Sequence, residues 1–122
     1  MKKKIIEIPL WERDLILLLG GSFQDILKIA KDYKMSMPVF NEINYDKLTP
    51  GDAHGGAYFC LEKGIGIAWF PTKRIPVSIL AHEATHIVDW LMQFIGAERE
   101  MEARAYTVEW LVTNIPKALK KM

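Results

Sequence analysis

A chain of 122 residues and 14.0 kDa, half of it hydrophobic, can bury one real core but is too short for two domains, so residues 1–122 read as a single domain. Sixteen Lys and Arg against fifteen Asp and Glu leave a formal net charge of +1, which excludes a general attraction to nucleic acid or to an anionic membrane. The lone cysteine, Cys60, excludes an internal disulfide and points to a reducing, cytoplasmic setting.

The opening MKKKIIEIPLWERDLILLLGG is too broken by Glu7, Pro9, Glu12, Arg13 and Asp14 for a secretory signal, and no stretch approaches the roughly 20 apolar residues of a membrane span. KKIIEIPL predicts a first strand ended by its proline. DLILLL is a second strand or the lead into a helix, stopped by Gly20 and Gly21. Ser22 caps a predicted helix over FQDILKIAKDYK, where Phe23, Ile26, Leu27 and Ala30 recur at helical spacing. Pro38 closes that region, and residues 39 to 55, rich in Asn, Gly and Pro, read as loop.

GAYFCLEKGIGIAWFP predicts a β-hairpin turning at EKG and ended by Pro71, with Cys60 as a small core residue. Residues 77 to 95 predict one buried helix with Gly96 as its stop, and a second helix runs from about 98 to 114, before Pro116. The pattern is α+β: a small sheet with a β-hairpin, packed on the first of two consecutive helices. The lysines at both termini read as solvated ends.

Two of the three histidines fall in AHEATHIVDW, residues 81 to 90. On a helix, His82 and His86 lie one turn apart on the same face and can present their imidazole nitrogens to one metal ion. Glu83 projects beside that point, where it can take a proton from a water on the metal. Leu80, Ala84, Ile87 and Leu91 form the apolar stripe, with His82, His86 and Gln93 on another face and Glu83 near its edge. Two histidines do not complete a catalytic zinc site; a third protein ligand is needed, with the fourth position left to water. The next helix offers only glutamates: Glu98, Glu100, Glu102 and Glu109. Glu102 and Glu109 share one of its faces; a very short turn between the helices favours Glu109 and a looser one Glu102.

HEATH followed by EARAY resembles the zincin metallopeptidases with a glutamate as third ligand, the gluzincin branch. Within it, the chain is most similar to small single-domain members: minigluzincins, ImmA/IrrE-type peptidases and phage-encoded metallopeptidases. The resemblance implies a minimal zincin-like fold, with a small twisted sheet on the HExxH helix and an antiparallel glutamate helix after it. It implies Zn2+ as cofactor, His82, His86 and Glu102 as metal ligands, and Glu83 as general base. It also implies that the strand beside the motif helix, here GIGIAWF, has a free edge that pairs with extended substrate.

The expected activity is therefore zinc-dependent endopeptidase action on a protein or peptide, including a host or repressor protein. Tyr106, one turn beyond Glu102, is a further catalytic candidate, able to hydrogen-bond the reacting oxygen or a ligand histidine, ahead of Arg99 and Arg104. Asp89 can orient a ligand histidine or stand as a solvated acid; Trp90 can line the site; His54 lies in a loop able to fold over it. The alternative function is a phage or mobile-element interaction protein that keeps the zinc scaffold but works by binding a host protein. Small size, the lack of a second domain and Trp11 and Trp69, if exposed, fit that alternative; an intact Glu83 opposes it. A closed structural zinc site would need a fourth ligand from His54 or Glu109.

Overall fold

The structure is a computed structural model, and it describes residues 1–35, 55–60 and 63–122. Pro38, Glu62 and the predicted loop over 39 to 55, His54 included and Gly55 excepted, lie outside the described residues.

The strands are β1 (Lys2–Ile8), β2 (Arg13–Leu19), β3 (Gly56–Cys60) and β4 (Ile65–Phe70). The helices are α1 (Phe23–Asp32), α2 (Val77–Ile95) and α3 (Met101–Lys120). The four strands form one sheet in the order β1-β2-β4-β3. DLILLL is thus a strand, and Leu15 to Leu19 are all buried because both faces of β2 are covered. β1 and β2 pair antiparallel through a tight turn in which the Glu12 amide donates to the Ile8 carbonyl at 2.9 Å. β2 and β4 pair parallel, a pairing that needs a crossover, and α1 lies in that connection.

Alternation along the strands sorts the core into two layers. Leu15, Leu17, Leu19, Ala57, Ala68 and Phe70 face α2 and α3, where they meet Leu80, Ala84, Ile87, Leu91, Leu111 and Ile115. Ile16, Leu18, Cys60, Ile67 and Trp69 face the other way, onto Ile26 and Ala30 of α1. Ser22 begins α1 as expected: its amide donates to the Asp25 carboxylate at 2.8 Å, which holds that carboxyl below its ordinary pKa.

The hairpin forms β3 and β4, with Gly64 at φ +64° beneath the Phe94 ring. β4, however, is an interior strand, paired on both sides, so GIGIAWF has no free edge. The edge strand beside α2 is β3; Gly55 abuts Ile79, and the Phe59 ring meets Phe94. The composition of β4 suits its place: Ile67, Ala68, Trp69 and Phe70 are apolar on both faces, and helices on the two sides of the sheet cover them.

α2 ends where its sequence says it should. Gly96 takes the left-handed conformation (φ 72°), and the Ala97 amide reaches back to the Met92 carbonyl at 2.8 Å. α3 departs from expectation at both ends. Residues 98–100 belong to the turn, and the helix runs through Pro116 to Lys120. Proline removes a single amide donor, and continuing the helix buries Ile115, Ala118 and Leu119. The C-terminal end of α3 lies near the segment before α2, where Lys73 Nζ donates to the Lys120 carbonyl at 3.5 Å, so the two helices run antiparallel. Among the described residues, no helix is long and apolar enough to cross a membrane.

Candidate metal centre

α2 builds the motif from its apolar stripe. Leu80, Ala84, Ile87 and Leu91 are buried against the sheet, which turns His82, His86 and Gln93 out to solvent. The two imidazoles meet with Nε2 atoms 3.1 Å apart and rings edge to face. Two nitrogens bound to one tetrahedral zinc at about 2.0–2.1 Å stand roughly 3.3 Å apart, so the pair fits two corners of such a site. Which ring donates in that contact depends on the tautomer of each imidazole.

Glu83 is only 8% exposed, more deeply set than a place at the margin of the histidine face suggests. Its position is legible in hindsight: three residues after Leu80 and four before Ile87, it borders the apolar stripe. Burial raises its carboxyl pKa, and the neighbouring His82 and His86 pull the other way. No hydrogen bond reaches it from the described residues. Ile79, Glu83, Trp90 and Phe94 recur at i, i+4, i+11 and i+15, the side of α2 along which β3 and the hairpin lie. Glu83 therefore sits between the histidine face and the β3 edge.

Trp90 stacks on His86, with ring centroids 5.5 Å apart and planes 19° apart. Asp89 does not orient a histidine; it pairs with Arg104 and ties α2 to α3. Opposite charges on consecutive helices are the sequence signal for this pair. Their pairing also commits Arg104.

α3 contributes less than expected. Glu102 lies exposed in its first turn, Glu109 is exposed two turns on, and Glu98 and Glu100 precede the helix. Among the described residues no three His, Cys, Asp or Glu side chains come together, so the histidine pair is gathered and the third donor is not. Tyr106 is 50% exposed and makes no hydrogen bond to either histidine.

Trp11 and Trp69 are not surface aromatics. Trp69 is 6% exposed, and its indole donates to the Gly20 carbonyl at 2.8 Å. Trp11 packs partly buried against the core, with its indole donating to Thr107 Oγ1 at 3.0 Å. Cys60 is buried, as expected of a core residue. Compared with protein families, curated proteins and solved structures, the chain has no match.

Proposed function

We propose that this protein is a zinc-dependent peptidase of the gluzincin type, with His82 and His86 as metal ligands, Glu102 as third ligand and Glu83 as general base. The observation that carries the reading is the pair of Nε2 atoms 3.1 Å apart on one exposed helix face, with a buried carboxylate alongside. A zinc ion held there supplies a Lewis acid for a peptide carbonyl and lowers the pKa of an attacking water. Glu83 accepts the proton of that water and returns it to the leaving amine. Its burial suits both halves of the task, since a carboxyl with a raised pKa releases a proton nearer neutral pH than a solvated one. Tyr106, half exposed on α3, offers its phenol to the oxygen of the reacting carbonyl.

In this reading an extended protein or peptide substrate runs along the side of α2 that faces β3, the outermost strand among the described residues, and crosses in front of Glu83. The alternative, an interaction protein that binds without cleaving, loses its aromatic support, because Trp11 and Trp69 belong to the core.

The test needs no known substrate. Wild type and Glu83→Gln are purified for metal analysis and expressed in host cells, and new protein termini are sought. Both should carry about one zinc, and only wild type should generate new termini, since loss of a general base costs on the order of a hundredfold or more. Zinc content that survives both His82→Ala and His86→Ala would refute the site. Equal biological effect of wild type and Glu83→Gln, with no cleavage by wild type, would make the protein a binder.

A further inference from the structure

Ligand histidines usually have their ring orientation fixed by a carboxylate or carbonyl that accepts from the second ring nitrogen. Neither His82 nor His86 has such a partner among the described residues, and Asp89, three residues after His86, is taken by Arg104. Both rings are also exposed, so packing against the core does not hold them. Among the described residues, the ring contacts of His86 are with His82 and with the indole of Trp90, one turn along and nearly parallel to the imidazole.

Resting on the metallopeptidase reading, we propose that Trp90 is the positioning residue of the metal centre: its indole fixes the His86 ring so that Nε2 points at His82. Trp90 is suited to this because it is anchored, partly buried against the core that α2 shares with the sheet. A flat platform on a rigid helix removes rotamer freedom that an exposed histidine otherwise loses when metal binds. The stack also acts on charge. Coordination draws positive charge onto the imidazole, and the negative face of an indole attracts a cationic ring more than a neutral one. The contact is therefore stronger in the metal-bound state, and that difference appears as metal affinity.

The experiment measures zinc affinity by competition with a chromophoric chelator for wild type, Trp90→Phe, Trp90→Leu and Phe94→Leu. Phe94 shares the stripe and packs on Phe59, so Phe94→Leu controls for loss of aromatic packing without loss of the stack. Trp90→Leu should bind zinc about fivefold more weakly or worse, Trp90→Phe should recover most of that loss, and Phe94→Leu should lower thermal stability while leaving zinc affinity unchanged. Zinc added to wild type should also change tryptophan emission, and the change should vanish in Trp90→Phe, which keeps the other three indoles. Wild-type affinity in Trp90→Leu, or an emission change that persists in Trp90→Phe, overturns the positioning role while the metal site stands. Failure of wild type to bind zinc overturns the metallopeptidase reading, and this role with it.

Discussion

At the scale of single residues, the burial of Glu83 sets stability against the role proposed for its carboxylate. Its carboxyl pKa is raised in the folded protein, chiefly by burial. Between the ordinary glutamate pKa, about 4.3, and the raised value, the folded state keeps a proton that the unfolded state has lost, so stability falls as pH rises through that window. Below the ordinary pKa the carboxyl is neutral in both states and contributes nothing. In metal-free protein, Glu83→Gln should therefore gain stability over wild type as pH rises from about 4 toward neutrality, read as denaturation midpoints in chelator across pH. Parallel curves for the two proteins would show that the carboxyl is not desolvated. The third ligand is tested at the same scale. Zinc binding should weaken in Glu102→Ala and persist in Glu98→Ala and Glu100→Ala. Loss in Glu109→Ala alone would move the assignment one face-sharing position along α3.

At the scale of elements, α2 presents the motif because its ends are well defined. Gly96 stops it at φ 72°, with open space around the position where a Cβ would stand, so Gly96→Ala probes backbone strain alone. That change should cost about 1–2 kcal/mol by urea denaturation without altering zinc affinity per folded molecule. A neutral result would mean that the turn into α3 can relax. α3 runs through Pro116, a point at which local propensity and tertiary burial disagree. Burial wins because Ile115, Ala118 and Leu119 reach a core that a helix ended at 114 would leave uncovered. The exchange of roles between β4 and β3 has a similar cause. GIGIAWF has strand composition whichever place it takes; the parallel partner β2 makes it interior.

For the whole molecule, the proposed zinc ion would cross-link α2 and α3, two helices that meet through apolar contacts and the half-exposed Asp89–Arg104 pair. An exposed ion pair of this kind contributes under about 1 kcal/mol, whereas a ligand present at a hundred times its Kd stabilises by about 2.7 kcal/mol. Chelation should therefore lower the melting temperature by several degrees, and Glu102→Ala should remove most of that difference. A melting temperature unchanged by verified loss of zinc would mean that the metal binds α2 alone.

The sequence by itself determined the elements with strong local signals. The 3.6-residue period placed α2, glycine stopped it, the Ser22 cap began α1, and alternating apolar runs around a turn made the hairpin. The same period turned His82 and His86 to one face, because helical spacing is a local property that needs no partner. Tertiary structure decided which strand is interior, how deeply Glu83 is set, that Trp11 and Trp69 serve the core, and that Asp89 pairs with Arg104. Each of these depends on contacts between residues far apart in the chain, which pattern within a window of one or two turns constrains but does not specify.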